Sequence, residues 1–185
     1  MGMAAWDSIS TIEQLLALPE DGLRHELLDG EHVVTPAPNR RHQRAVVAFV
    51  DALQESLRGS SEVEVLTAPA DIHLGPKTLV QPDVFVVASP AGAAITAWRD
   101  VPVPFLAIEI LSPSTAARDR GRKRRLYLEA GVEGYWIVDL DGEVVERWRQ
   151  ADARPEIIGE TLSWSLSAGA SGSIELPRLF QHVNR

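Results

Sequence analysis

The sequence predicts one α/β domain, in which buried strands form a sheet and helices pack against it. Phe105–Leu111 is an almost unbroken apolar run, which is the pattern of a strand buried on both faces. Arg41–Leu57 places its apolar residues at helical spacing and so predicts an amphipathic helix that packs on the sheet. With 185 residues and 45% hydrophobic content, the chain is long enough for one well-buried domain and short for two.

Composition restricts the chemistry and the location of the protein. The chain has no cysteine, and its five histidines show no HExxH-type spacing. Disulfides, thiolate metal sites and a zinc centre are therefore not expected, and any metal would be held by oxygen ligands. No apolar run approaches roughly 18 residues, the length of a membrane span, and no signal-peptide pattern is present. We therefore expect a cytoplasmic protein without a membrane segment.

Charge is unevenly distributed along the chain. The net charge of −8 opposes binding to phosphates, but half of the 18 lysines and arginines lie in two short segments. Each segment is either a local positive patch or a solvated helix face, and the sequence leaves both interpretations open. The residues that we predict to contact nucleic acid are Arg40, Arg41, His42, Arg44, Arg118, Arg120 and Arg122.

The first part of the chain predicts a short helix and a hairpin before the long helix. A capping-box pattern that starts at Ser10 opens the short helix, so residues 1–20 are predicted to be a helical appendage. The Asp29-Gly30 pair joins two short strand-like runs and is a strong hairpin signal. Glu26 lies in the first of these runs.

Three strands are predicted in the middle of the chain. The last of them, Leu79–Ala88, is apolar apart from Asp83. Because proline cannot donate a hydrogen bond to a sheet, Pro82 should mark a strand start or a bulge that redirects the backbone. The other two strands are Glu62–Thr67 and Ala70–Leu74.

A second helix is predicted over Asp119–Ala130, and it turns a lysine toward the sheet. Lys123, Leu126 and Tyr127 share the apolar face of this helix, because they lie at positions i, i+3 and i+4. A lysine on such a face either extends its charge to solvent or reaches a buried anion.

The remaining segments complete the predicted sheet and its cover. Ser89–Pro102 predicts a loop with one helical turn. The Asp141-Gly142 pair predicts a second hairpin, whose first strand should join the central sheet. The segment LPRLFQHV near the end of the chain predicts a short helix.

Two isolated acids suggest a metal site. Asp83 and Glu109 are the only charges in their apolar strands, and a carboxylate removed from water needs a cation, a metal or strong donors. On adjacent strands they can hold Mg²⁺, with the carbonyl of Ile110 in reach as a third ligand and Lys123 positioning water. This arrangement is typical of metal-dependent phosphodiester hydrolysis, and a structural ion pair is the alternative.

Five motifs follow one another along nearly the whole chain: HELLDGE, NRRHQR, QPDVFVV, LAIEILSPST and DRGRKRRLYLEAGVEGYWIVD. In this order they resemble the Uma-type family of predicted bacterial restriction endonucleases. The resemblance implies a restriction-endonuclease-like fold, a PD-(D/E)xK nuclease core in which a mixed central β-sheet is flanked by helices. It also implies that Asp83 and Glu109 are metal ligands and that Glu26 is an additional carboxylate at the site.

The sequence departs from the family pattern at one position. In the PD-(D/E)xK pattern a lysine follows the second acid by two residues, and here that position is Leu111, which cannot polarise water. We therefore predict that Lys123 carries the lysine function, as similar families with a migrated lysine suggest. Lys77, the other lysine of the chain, follows a Gly-Pro turn and is predicted to be exposed.

The sequence leaves three functions open. The favoured one is a DNA endonuclease that depends on Mg²⁺, with Mn²⁺ as a possible substitute, and that acts as a homodimer because a duplex has two strands to cut. The second is a non-catalytic module that binds nucleic acid or regulates. The third is a structural or protein-interaction domain whose carboxylates are only ion-paired.

Overall fold

The described part of the chain, residues 9–89 and 97–185 of a computed structural model, contains five α-helices and twelve β-strands. A 3-10 turn covers Trp98–Asp100, and a π-helical turn, Asp119–Lys123, joins the third helix to the fourth. The helices are α1 (Ile12–Leu16), α2 (Arg40–Ser56), α3 (Ala116–Arg118), α4 (Arg124–Glu129) and α5 (Leu176–Val183). The strands are β1 (Arg24–Leu28), β2 (Glu31–Thr35), β3 (Val63–Thr67), β4 (Ile72–Gly75), β5 (Thr78–Val80), β6 (Val84–Ala88), β7 (Leu106–Ile110), β8 (Gly134–Asp139), β9 (Val144–Trp148), β10 (Glu156–Ile158), β11 (Thr161–Ser165) and β12 (Ser171–Glu175).

A mixed six-stranded sheet lies at the centre of the fold. Its strand order is β10-β9-β8-β7-β6-β3, and β7 and β8 form its parallel pair while the other neighbours run antiparallel. Side chains alternate between its faces, so that Val84 and Val86 enter one core and Phe85 and Val87 enter the other. Both faces are covered, which explains why the central strands are apolar without interruption.

Helices and a second sheet cover the two faces. On one side, the core includes residues of α2, α5 and the β11–β12 hairpin. On the other side it includes Leu126 and Tyr127 of α4 and residues of the smaller sheet. This smaller sheet is antiparallel with the order β2-β1-β5-β4. The predicted fold class, a mixed central sheet flanked by helices, is confirmed.

The predicted strand Leu79–Ala88 is wrong as a single element. It is divided between β5 in the smaller sheet and β6 in the central sheet. The chain changes sheets at Pro82-Asp83, where proline removes the backbone donor that a continuous strand would need. Asp83 thus stands directly before a strand, as the proline predicted.

The predicted helix Asp119–Ala130 forms but is longer and irregular. It begins at Ala116 and passes through the π-helical turn before α4. The hairpin at Asp29-Gly30 has positive φ at both turn residues, as such a two-residue turn requires. In the second hairpin the positive φ falls on Glu143, and the turn is longer than the Asp141-Gly142 pair suggested.

The helix near the N-terminus is packed against the fold. Its capping box uses Thr11 and Gln14, one residue later than the predicted pattern. Ile12 and Leu15 of α1 are buried with Leu27 and Leu79, so α1 covers one side of the smaller sheet. Residues 1–8 of the predicted appendage and residues 90–96 of the predicted loop lie outside the described residues. Within the described ranges, the structure has no helix with the length and apolar character of a membrane span.

Candidate active site

A cleft of about 660 Å³ opens where the two sheets meet the start of α2. The end of β7 and the start of β6 form its floor, and the loops after β2, β7 and β8 line it. Four acids with at most 3% of their surface exposed lie along this cleft together with one equally buried lysine. They are Glu26, Asp83, Glu109, Asp119 and Lys123.

Sheet register brings Asp83 and Glu109 together. In the antiparallel β6–β7 pair, Val84 lies opposite Ile108, so the preceding Asp83 and the following Glu109 are adjacent across the two strands. Asp83 follows the proline at the change of sheets, and Glu109 lies in the buried strand β7. Both acids therefore lie at the same edge of the central sheet. The structure brings the two predicted metal ligands together.

Asp83 is held by donors from three elements. Its Oδ2 accepts a hydrogen bond from the backbone N–H of Ile110 at 2.8 Å, and His42 Nε2 lies 3.1 Å from the same oxygen. Arg24 Nη1 lies 2.8 Å from Oδ1. Burial would raise the pKa of Asp83, but the bond to His42 and the charge of Arg24 more than offset this and lower the pKa to about 2.

Lys123 lies between two buried glutamates. Its Nζ is 2.5 Å from Glu109 Oε1 and 2.8 Å from Glu26 Oε1. The hydroxyl of Tyr127 donates to Glu109 Oε1 at 2.9 Å, and the backbone N–H of Gln81 donates to Glu26 Oε1 at 2.8 Å. The lysine therefore reaches buried anions and does not extend its charge to solvent.

The π-helical turn presents Lys123 and Asp119 to the same side. Residues four apart lie on one face of a π-helix, and both side chains are buried. The hydroxyl of Tyr135 donates to the backbone carbonyl of Asp119 at 3.0 Å, which ties the turn to β8. Burial raises the pKa of the Asp119 carboxyl, and the charge of Lys123 opposes that rise.

The four buried acids of the cleft outnumber the cations that contact them, chiefly Lys123 and Arg24. Burial raises the pKa of Glu109 to about 8; Lys123 opposes this rise, while the charges of Asp83 and Asp119 add to it. For Lys123, burial favours the neutral amine, but Glu109 and other nearby acids hold its pKa above the usual range. The site therefore favours binding either a proton or a further cation.

The donor set suits a hard divalent cation. Both bonds of Glu26 use Oε1, and so do both bonds of Glu109, which leaves Oε2 of each glutamate without a hydrogen bond in the described structure. Asp83 Oδ1 is buried without a hydrogen bond and has only the ionic contact with Arg24. Carboxylate oxygens are the ligands that Mg²⁺ and Mn²⁺ prefer. Among residues 9–89 and 97–185, however, no three acidic or histidine side chains are already grouped as a metal site.

The predicted nucleic-acid-binding residues divide into two groups. Four of them have acidic partners, and these pairs are Arg41 with Asp141, His42 with Asp83, Arg120 with Asp139 and Glu146, and Arg122 with Glu31. The other three, Arg40, Arg44 and Arg118, have no carboxylate within ion-pair distance in the described part of the chain. His42 is buried beside Asp83 and does not face an open surface.

Sequence reasoning missed three residues that shape the site. Arg24 contacts Asp83, Tyr127 donates to Glu109, and Asp119 adds the fourth buried acid. Of the three, only Asp119 could have been found from the sequence, because it precedes Lys123 by four residues on the predicted helix and so lies on the same face. The roles of Arg24 and Tyr127 depend on contacts between elements that are distant in the sequence.

A solved structure shares this fold. The chain is similar to a protein from Anabaena variabilis ATCC 29413 whose crystal structure is described as that of a "putative nuclease belonging to DUF820". The TM-score is 0.80, the sequence identity is 21%, and the match covers 94% of this chain and 98% of that one. The two proteins thus share one α/β fold over nearly their whole lengths.

The family follows from the sequence match. Residues 12–177 match the model of the Uma2 family, which is described as "Putative restriction endonuclease", and this chain belongs to that family. It is also 30% identical over 131 residues to the uncharacterized protein slr1290 of Synechocystis sp., a match that covers 70% of this chain and 67% of that protein. The resemblance identified from the motifs is confirmed.

Proposed function

We propose that this protein is a metal-dependent endonuclease that hydrolyses phosphodiester bonds of DNA. The observation that carries the proposal is the convergence of Glu26, Asp83, Glu109 and Lys123 in one cleft. Membership of the Uma2 family supports it. The four buried acids of the cleft, which outnumber the cations that contact them, support binding of a divalent cation.

Asp83 and Glu109 would hold the ion, and Glu26 would add a third carboxylate. In the described part of the chain, Oε2 of Glu26 and of Glu109 accepts no hydrogen bond, and Asp83 Oδ1 has only the ionic contact with Arg24. The chemistry supplied by bound Mg²⁺ or Mn²⁺ is Lewis-acid polarisation of a phosphoryl oxygen. The carbonyl of Ile110 stays a predicted ligand, since the contact in hand is the bond from its N–H group to Asp83.

Lys123 would balance charge at the reacting phosphate. Its ammonium group is held between Glu26 and Glu109, and its raised pKa keeps it protonated at neutral pH. A fixed cation at this position favours the negative charge that develops on the phosphoryl oxygens in the transition state. Asp83 needs no such partner, because His42 and Arg24 already keep it ionised.

Titration calorimetry with Mg²⁺ and Mn²⁺ tests the metal site. Wild type should bind one ion, and Asp83→Asn and Glu109→Gln should each weaken binding at least tenfold, which corresponds to about 1.4 kcal/mol. The same proteins should be incubated with a mixed DNA substrate, where cleavage should require the metal and both acids. Equal metal affinity in wild type and Glu109→Gln would rule out the shared site.

A second candidate is a non-catalytic module that binds nucleic acid or regulates. The observation that favours it is the internal pairing of the acids, because Lys123 already contacts both Glu26 and Glu109 without any metal. Such a module would bind DNA but would show neither metal affinity nor cleavage. The calorimetry and the cleavage assay therefore distinguish the two functions.

We also propose that the protein acts as a homodimer in the cytoplasm. A homodimer would place two clefts on one duplex, and closed two-fold dimers are the most common assembly of such proteins. The cytoplasmic location that the sequence predicts would give the protein access to DNA in a bacterial cell.

A further inference from the structure

The arginines predicted to contact nucleic acid differ in whether their charge is available. Arg120 contacts Glu146 and Asp139, and Arg122 contacts Glu31 as well as the backbone carbonyl of Leu28. These guanidinium groups already have acidic partners. They therefore have less free charge to offer a phosphate than an arginine without a partner.

Arg118 is an available cation inside the cleft. Its Nη2 donates to Thr35 Oγ1 at 2.8 Å, and its Nε is buried without a partner. No carboxylate of the described ranges lies within ion-pair distance of it. A guanidinium with unused donors is suited to bidentate binding of a phosphate.

A smaller hollow, which is lined by arginines, lies next to the cleft. It has a volume of about 270 Å³, and Arg40 and Arg44 line it together with the end of α5. Arg40 is exposed, and Arg44 has one partner among residues 9–89 and 97–185, the backbone carbonyl of His182. Arg41 lines both the hollow and the cleft, so the two are neighbours. Arg41 also donates to Asn184 Oδ1 and to the backbone carbonyl of Leu140, but its one acidic partner in the described structure, Asp141, is 88% exposed, and such a surface pair contributes little.

We propose that the phosphodiester backbone of the substrate runs from Arg118 in the cleft, past Arg41, to Arg40 and Arg44 at the start of α2. This inference rests on the proposed function and narrows its substrate to a polynucleotide that extends beyond the reacting phosphate. Arg120 and Arg122 lie outside this path because their charges are neutralised by acids of the protein.

The path is tested by DNA binding in EDTA, measured as fluorescence anisotropy of a labelled 16-base-pair duplex at several salt concentrations. The double variant Arg40→Ala/Arg44→Ala should bind DNA at least tenfold more weakly. The slope of the logarithm of the binding constant against the logarithm of the salt concentration should decrease in magnitude by about 2, because each neutralised phosphate contributes about 0.9. Arg118→Ala should lower the slope by about 1, and Arg118→Lys should restore it.

The matched control is Arg122→Ala/Arg125→Ala, which removes the same charge. Arg122 pairs with Glu31 and Arg125 with Asp29, so this variant should change the slope clearly less than Arg40→Ala/Arg44→Ala does. Equal slope changes in the two double variants would contradict the proposed path of the substrate backbone. A wild type that binds no DNA would contradict it as well. Addition of Mg²⁺ or Mn²⁺ then tests the enzyme separately. If the variants behave as expected but wild type does not cleave, the path stands and the endonuclease is excluded.

Discussion

The sequence left two environments open for Lys123, solvent or a buried anion, and the structure decides for buried anions. Its helical face predicted contact with the sheet, but the structure buries the whole side chain, with 1% of the residue exposed, between Glu26 and Glu109. Its removal would leave two buried acids without their cation. Loss of one partner of a buried ion pair typically costs about 3–5 kcal/mol, so this lysine stabilises the fold as well as the site.

Lys123→Met should reduce Mg²⁺-dependent DNA cleavage at least a hundredfold. It should also lower the free energy of unfolding in metal-free buffer by roughly 3 kcal/mol, since the buried acids lose their partner. Both effects are measured on one preparation, by a cleavage time course and by urea denaturation. Lys77→Met is the matched control because Lys77 is exposed and has no acidic partner within ion-pair distance in the described structure. Equal cleavage by Lys123→Met and wild type would show that another cation has this role.

Glu109 makes the stability of the metal-free protein depend on pH. Its pKa is raised from the ordinary value of 4.5 to about 8, so the folded state favours the protonated acid. This contribution is complete below pH 4.5 and is lost as the pH rises through 8. The free energy of unfolding in EDTA should therefore fall by a few kcal/mol between pH 5 and pH 8, since each unit of pKa difference corresponds to about 1.4 kcal/mol.

Urea denaturation at pH 5, 6, 7 and 8 measures this dependence. Glu109→Gln cannot ionise at this position and should lose most of the pH dependence in that interval. A wild type whose stability is constant from pH 5 to pH 8 would show that Glu109 is ionised throughout in the folded protein.

Among the elements, the β1–β2 hairpin matters because β1 carries Arg24 and Glu26. Its turn depends on Gly30, whose φ is +79°, a backbone conformation that other residues adopt only with strain. A Cβ at this position would also lie 3.4 Å from the carbonyl oxygen of Ser10 and 3.6 Å from Lys77.

Gly30→Ala should therefore lower the free energy of unfolding by about 1–2 kcal/mol, the usual cost of a left-handed conformation for a residue with a Cβ. Gly75→Ala is the control, because a Cβ there meets no atom within 4 Å and Gly75 is not among the glycines with positive φ. The control should be neutral or slightly stabilising. Thermal or urea unfolding of the two variants measures the difference, and equal stabilities would show that the turn tolerates a side chain.

At the scale of the whole molecule, the open question is assembly. We predict a homodimer, since cutting both strands of a duplex with one active site per chain takes two chains. Light scattering across micromolar concentrations should give twice the mass of the chain. A monomer mass over that range would contradict the prediction and would favour nicking of one strand at a time.

Local sequence patterns predicted most of the elements. The helical spacing predicted α2 and α5, and the Asp29-Gly30 pair predicted the first hairpin, because these elements depend on contacts between residues close in the chain. The exchange between sheets at Pro82 was not predicted, since hydrophobicity continues through β5 and β6 although they belong to different sheets.

The sequence alone was enough to single out charged residues that the fold buries. An acid in an apolar strand is costly wherever that strand lies, so Asp83 and Glu109 could be singled out without any structure. The spacing along one helix likewise predicted that Lys123 faces the sheet, and the turn before Lys77 predicted that Lys77 is exposed. Tertiary structure alone decided the partners of these residues. Arg24 reaches Asp83 from another sheet, and acids distant in the chain neutralise Arg120 and Arg122. The sequence shows that a charge is present, but the Coulomb interaction that decides whether this charge is free depends on distances that only the folded chain defines.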